Sequence, residues 1–291
     1  MVHSALSTGE YLGLDEGTRA LLCLPARSIA GKMMLVRALV LGWKLELKPP
    51  DSNPLAGLLK PVDFAAMVPM QLETSLDKLD KISTILVGGA PLSKALLARI
   101  PDDGVTIYES YGMTETASHI ALRKLCRVPA GKAPETILPP FRALPWVEIS
   151  TDERGCLSIL TSYLPEKPVV TNDLVTLESE ETFRWMGRID HVVNSGGVKL
   201  IPEQLESKLS PLISQPFFLT GMPDETLGEK LVLLVEGAGD DSLLQQIRES
   251  SQVDRYEVPR EVYFLKDFVR TPTGKINRPE TLKTLQTEQE R

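Results

Sequence analysis

The chain has 291 residues, of which 42% are hydrophobic and 24% charged, with a formal net charge of −7. That length holds two ordinary domains or one large one with a full core, and the acidic balance argues against a nucleic-acid grip built on basic surface. Cys23, Cys126 and Cys156 lie far apart with no CxxC spacing, so neither a disulfide framework nor a zinc site is indicated.

The N-terminal stretch MVHSALSTGEYLG lacks the basic start and apolar run of a signal peptide, and ALVLGW is too short to span a bilayer. The expected compartment is the cytoplasm. TRALLCLPA and STILVGGAPLS read as buried strands that end in loops. IAGKMMLVRALVLG and SKALLARI read as helices, with Ser93 capping the second. Strand and helix alternate, which predicts an α/β fold. In the second half, GCLSILTSYL, VVTNDLVTLE and TFRWMGRIDHVVNSGG read as antiparallel strands with polar turns. A helix at PEQLESKLSPL, a strand at KLVLLVEG, a helix at DSLLQQIRES and a strand at EVYFL then predict a small α+β domain. The boundary is placed at GRID, giving a large domain over residues 1–189 and a small one over 190–291.

Five stretches carry candidate chemistry. In VGGAPLS a strand runs into Gly88 and Gly89, where backbone can approach a flat ligand; a plain strand-to-helix turn explains the glycines equally. In YGMTE, Gly112 permits a tight turn, Thr114 can donate to a phosphate oxygen, Glu115 is a hard ligand for Mg²⁺, and Tyr111 offers an aromatic face. A capped helix start is the alternative there. Asp173 in VTNDLV can accept from ribose hydroxyls or close a turn. Arg188 and Asp190 flank the boundary, as a phosphate or ribose grip and a hinge residue, ahead of the NSGGVK turn. Lys275, after Thr-Gly, can bring positive charge to a distant site or simply face solvent.

In their order GGAPLS, YESYGMTET, TND, GRIDHVVNSGGVKLIPEQLE and TPTGKINR resemble the adenylate-forming superfamily of acyl- and aryl-CoA synthetases, peptide-synthetase adenylation domains and luciferases. The likeness runs from about residue 5 to residue 280 and is strongest toward ligases of an aromatic acid with two carboxylates. It implies a large adenylate-binding domain of α/β layers plus a small β subdomain, then a small mobile α+β domain. Gly88, Gly89 and Ala90 would line the adenine pocket, with Tyr111 stacking on the base next to Gly112. Thr114 would bind phosphate, Glu115 the Mg²⁺, and Asp173 with Arg188 the ribose. Asp190 would be the hinge, Lys275 would touch the acyl carboxylate and α-phosphate, and Gly196 with Gly197 would let the CoA arm pass. The implied small molecules are a carboxylic acid, ATP, Mg²⁺ and CoA, with no nucleic acid or membrane; a homodimer would suit the fold.

The family's Ser/Thr/Gly-rich phosphate loop is not found, nor is a GxxxxGK[ST]. MVHSALSTGEYLGL resembles the helix that follows that loop, so the large domain is expected to be incomplete at its start. Ser28 stands where an aromatic residue or His often gates the acyl pocket, and Thr171-Asn172-Asp173 keeps the carboxylate of a TGD pattern without its glycine. A second substrate carboxylate needs its own grip. His119 and Arg123, four apart, are expected to share a helix face, as are Ser28 and Lys32. The alternatives are a remnant that binds AMP or an acyl-AMP without catalysis, and a ligase for another aryl or acyl acid.

Overall fold

A computed structural model of the chain describes residues 1–90, 92–129, 132, 137–162, 167–240, 242–271 and 275–289. All the candidate site residues fall within these ranges. Pro91 of GGAPLS, the end of GCLSILTSYL beyond residue 162, Asp241 and residues 272–274 before Lys275 lie outside the described residues. The chain divides into two compact units, Met1–Thr171 with Val175–Trp185, and Asn172–Leu174 with Met186–Arg291.

The first unit begins with helix α1 (Val2–Leu12), strand β1 (Arg19–Leu22), helix α2 (Ile29–Leu41), strands β2 (Lys44–Leu47) and β3 (Val62–Met67) and helix α3 (Pro69–Thr74). Strand β4 (Ile82–Val87), helix α4 (Lys94–Leu97) and strand β5 (Thr106–Met113) follow. The strands lie parallel in the order β2-β1-β3-β4-β5. Successive side chains point to opposite faces, so Phe64 and Ala66 join one core while Ala65 and Met67 join another. Tyr11 and Leu12 of α1, with Ala38 and Leu41 of α2, pack on the first core. Leu72 of α3, with Leu96 and Leu97 of α4, belongs to the second. Burial on both faces is why these strands read as continuous apolar runs. Helix α2 starts at Ser28, whose hydroxyl oxygen accepts from the Gly31 amide at 3.1 Å, and stops at Gly42 in the left-handed conformation. Ser93 caps α4 in the same way, accepting from Leu96.

Past β5 the sheet turns antiparallel through β6 (Ser118–Lys124), β7 (Phe141–Ala143), β8 (Val147–Thr151), β9 (Cys156–Thr161), β10 (Val169–Leu177) and β11 (Thr182–Arg188). Its full order is β2-β1-β3-β4-β5-β6-β7-β11-β10-β9-β8. Here one expectation is corrected: His119 and Arg123 lie on strand β6, not on a helix. The run SHIALRK contains good helix formers, but it pairs with β5 along one edge and β7 along the other. Tertiary pairing overrides a weak propensity.

The second unit contains β12 (Val193–Ser195), β13 (Val198–Leu200), helix α5 (Pro202–Leu209), β14 (Phe217–Asp224), β15 (Gly228–Glu236), helix α6 (Leu243–Glu249), β16 (Glu261–Leu265) and helix α7 (Arg278–Gln289). Strand order is β13-β12-β15-β14, with β16 parallel to β15. Leu231, Leu233 and Val235 of β15 face a core shared with α5 and α6, while Val232 and Leu234 face one that includes Leu285 of α7. Gly196 (φ 59°) and Gly197 (φ 85°) form the two-residue turn between β12 and β13. Two successive positive φ values are the demand of a tight hairpin, so this turn alone accounts for the glycine pair. Among the described residues no helix is long and apolar enough to cross a membrane.

Candidate functional site

The first group of candidate residues sits where β4 and β5 end, at the carboxyl edge of the parallel strands, the usual place for ligands in open α/β sheets. A Cβ on Gly88 would lie 2.3 Å from the Ser110 hydroxyl oxygen, which itself donates to the Val87 carbonyl at 3.0 Å. The close approach of Gly88 to strand β5 thus suits a residue without a side chain. Gly89 has φ 89°, and Ala90 is exposed. Gly112 pairs with His119 where the register shifts, and a Cβ there would meet the Ser118 carbonyl oxygen and His119 Cα, both at 2.4 Å.

Beyond it, Thr114–Thr116 make one 3-10 turn. The buried Thr116 hydroxyl oxygen accepts from the Met113 amide at 3.1 Å and lies 2.9 and 2.7 Å from the carbonyls of Met113 and Ser118. Thr116 therefore fixes the turn from inside, and Thr114 and Glu115 are presented outward on a rigid hairpin. The capped helix start is not what forms. Tyr111 is half-buried, its ring held by Phe183 at 5.1 Å and Phe141 at 5.9 Å between centroids. Among the described residues no three His, Cys, Asp or Glu side chains gather to hold a metal. A lone exposed carboxylate such as Glu115 fits Mg²⁺ that arrives with nucleotide phosphates, because that ion keeps several waters and takes one or two carboxylates.

Behind this turn lies a cluster of which the sequence points to His119 but not to Arg37. Arg37 of α2 is 2% exposed and His119 of β6 is 6% exposed. Arg37 Nη2 donates to the Ser118 hydroxyl oxygen at 3.3 Å and lies 3.4 Å from His119 Nδ1. His119 Nε2 is 3.3 Å from the Thr8 hydroxyl oxygen, which donates to the Ser4 carbonyl at 2.7 Å. A guanidinium only donates, so His119 Nδ1 accepts and Nε2 carries the proton toward Thr8. Burial first, and Arg37 second, hold the His119 pKa well below its ordinary value, which agrees with a neutral ring. Burial also pulls Arg37 down to about 10, so it stays charged at neutral pH. Among the described residues Arg37 has no carboxylate partner, and its Nε and the Ser4 hydroxyl are buried without a hydrogen bond. Such groups cost free energy unless a ligand satisfies them.

The His119 environment has a pH signature. The folded pKa lies below the unfolded one, so the unfolded state binds more protons and stability rises with pH. The contribution is full above about pH 6.5 and lost as pH falls, with a slope up to about 1.4 kcal/mol per pH unit. Urea unfolding of wild type and His119→Gln between about pH 5.5 and 7.5 is expected to show a shallower loss in the variant. Equal slopes would place His119 in a different protonation environment.

The other substrate candidates are less available. Arg123 Nη2 pairs with Glu109 Oε2 at 2.6 Å, and its guanidinium stacks 4.4 Å over the Phe141 ring. Both donor and acceptor of the Ser28 hydroxyl serve the start of α2, through Pro25 and Gly31. Lys32 is exposed on α2.

In the second unit Asp173 and Arg188 come together, with Arg188 Nη1 4.0 Å from Asp173 Oδ1. Arg188 also forms a two-pronged pair with Asp190, at 2.9 and 2.8 Å. That hydrogen bonding holds the Asp190 carboxyl below its usual range and raises Arg188. Lys275 is exposed; its carbonyl accepts from the Thr271 amide at 2.8 Å and its amide donates to the Thr271 hydroxyl oxygen at 3.2 Å.

A sequence profile for AMP-binding enzymes matches residues 1–149. The chain belongs to the AMP-binding enzyme family. The 2-succinylbenzoate–CoA ligase of Bacillus cytotoxicus is 27% identical over 97% of this chain and 65% of its own length. The chain thus spans just under two thirds of that curated relative. An acyl-CoA synthetase (AMP-forming)/AMP-acid ligase II-like protein from Dyadobacter fermentans is 42% identical, with TM-score 0.61, over 98% of this chain and 83% of that one. The o-succinylbenzoate CoA synthetase of Bacillus subtilis, in complex with its acyl-adenylate intermediate, has TM-score 0.80 at 21% identity, over 96% of this chain and 63% of that one. The architecture is that of the adenylate-forming fold, with α/β layers, a small β subdomain and a following α+β unit.

Proposed function

We propose that the chain belongs to an AMP-forming acid–thiol ligase whose acid carries a second carboxylate, with 2-succinylbenzoate as the acid that fits. The observation that carries this is Arg37, a buried cation with no carboxylate partner among the described residues, directly behind the Gly112–Glu115 turn. The relatives named 2-succinylbenzoate–CoA ligase support the same reading.

In this reading the acid's carboxylate attacks the α-phosphorus of ATP and pyrophosphate leaves. CoA sulfur then attacks the acyl carbon and AMP departs. Gly88, Gly89, Ala90 and Tyr111 receive adenine, Thr114 holds a phosphate oxygen, and Glu115 would hold Mg²⁺, which when bound offsets phosphate charge. Asp173 and Arg188 bind the ribose hydroxyls, and Lys275 supplies positive charge as the acyl-phosphate bond forms. Arg37 donates to the second carboxylate in a charge-assisted pair, with neutral His119 keeping its guanidinium oriented. Asp190 is the hinge, Gly196–Gly197 flank the CoA path, and the domains divide at residues 189 and 190.

A second reading has the chain bind AMP or an acyl-adenylate without processing ATP. Calorimetry with AMP and with two stable acyl-sulfamoyl adenosines, one derived from 2-succinylbenzoate and one from benzoate, tests the site under both readings. AMP is expected to bind, and the two-carboxylate compound to bind at least about tenfold tighter than the benzoate one. No AMP binding would overturn the nucleotide site, and equal affinity for the two compounds would overturn the second-carboxylate grip.

A further inference from the structure

The hinge candidate Asp190 is followed by His191, and this neighbour is held by a contact of its own. His191 Nδ1 meets Glu203 Oε1, on helix α5. The same Glu203 oxygen lies 3.5 Å from Arg278 Nη1, at the start of α7. Arg278 is anchored in turn by Glu206 Oε2 at 2.8 Å and by the Phe218 ring at 5.5 Å. Glu206 Oε1 accepts from the Leu219 amide at 2.8 Å, so the chain of contacts ends on strand β14.

Glu203 also touches the residues before the turn. A Cβ on Gly187 would lie 2.6 Å from Glu203 Oε2 and 2.5 Å from Ile201 Cγ2, at a φ of 153°. The segment Gly187–His191 therefore wraps around one carboxylate, leaving room there only for glycine. Burial raises the Glu203 pKa, but the His191 hydrogen bond and Arg278 outweigh it and leave the carboxyl below its usual range. The group is thus an anion at neutral pH. Its second oxygen, Oε2, is buried with no hydrogen-bond partner among the described residues.

We infer that Glu203 and His191 form a latch that fastens the downstream side of the hinge turn to helix α5 and confines the pivot to residues 188–190. Glu203 acts through His191 and is a positioning residue. Arg278 holds it from the far side and ties it to β14. On the other side of the turn Asp190 holds Arg188, which is shared with Asp173. The two pairs divide the work: Asp190 faces the proposed ribose grip, and His191 faces the body of the second unit.

The inference takes its functional meaning from the hinge role proposed for Asp190, but its test needs no catalysis. Amide hydrogen exchange read by mass spectrometry would follow a peptide covering residues 186–193 in the full chain, with a β15 peptide as internal reference. Glu203→Gln and His191→Gln are each expected to speed exchange in the turn about tenfold, the loss of one charge-assisted hydrogen bond, with β15 unchanged. The double variant is expected to be no faster than Glu203→Gln alone, because the contact that His191→Gln removes is already lost with Glu203. Unchanged turn exchange in both single variants would overturn the latch. So would equal acceleration of β15, which would mark general loosening, and so would additive effects in the double variant. Exchange rates in the turn can be read on a chain that forms no acyl-adenylate, so the latch and the proposed reaction fail separately.

Discussion

Exchanging Arg37 for methionine is expected to weaken binding of the 2-succinylbenzoyl-sulfamoyl adenosine about a hundredfold while leaving the thermal midpoint unchanged or higher. Truncating one partner of a buried charge pair costs roughly 2–5 kcal/mol in binding, and a hundredfold is about 2.7 kcal/mol. The stability side is the informative half. In the chain alone the guanidinium is buried, has no carboxylate partner among the described residues and leaves Nε unsatisfied, so it is a net cost to the fold. Methionine has a similar reach and suits an apolar helix face beside Met33 and Met34, which are fully buried. Gain of stability with loss of affinity is the mark of a group kept for a ligand. Calorimetry and a thermal scan on the same preparation read both. Retained affinity with a lower midpoint would make Arg37 a structural residue and remove the basis for a two-carboxylate acid.

Lys275→Ala is expected to slow acyl-adenylate formation by about 10²–10³-fold, the effect of removing one group that stabilises developing charge. Thioester formation from supplied acyl-adenylate should change little, because rotation at the proposed hinge, Asp190, would carry Lys275 away before the CoA sulfur attacks. Lys275 is exposed, and among the described residues its ammonium makes no ion pair. Its own amide and carbonyl are held by Thr271, contacts which alanine keeps. Stability should therefore stay within about 0.5 kcal/mol. Rapid-quench measurement of the two half-reactions distinguishes this role from a general one. An equal slowing of both steps would contradict it.

The parallel half of the fold was readable because its signals agree. Apolar runs such as STILV end in glycines, and helices such as SKALL begin at a capping serine that does cap. Strand β6 was misread because its residues favour a helix and only pairing with β5 and β7 decides otherwise. The Thr114–Glu115 turn was visible as a motif, yet the buried Thr116 that fixes it was not. Arg37 is not among the residues the sequence analysis singles out. The signal was present: Met33, Met34 and Arg37 fall at one helical spacing, and a charge within a buried stripe calls for a partner. Arg123 is one of the carboxylate grips the sequence suggests, but its engagement by Glu109 depends on a cross-strand register that the sequence does not reveal. The glycine pair at 196 and 197 is explained by hairpin geometry alone, so its presence lends the CoA path no separate support.

The most direct test of the adenylating reading is to incubate the chain with ATP, Mg²⁺ and 2-succinylbenzoate and to look for the acyl-adenylate by mass spectrometry. The same incubation is run with the chain extended to the full length of its relatives. The expected result is the mass of 2-succinylbenzoyl-AMP, formed together with pyrophosphate, in at least one of the two. Absence of that species in both, with AMP still bound, would contradict the assignment of 2-succinylbenzoate as the acid.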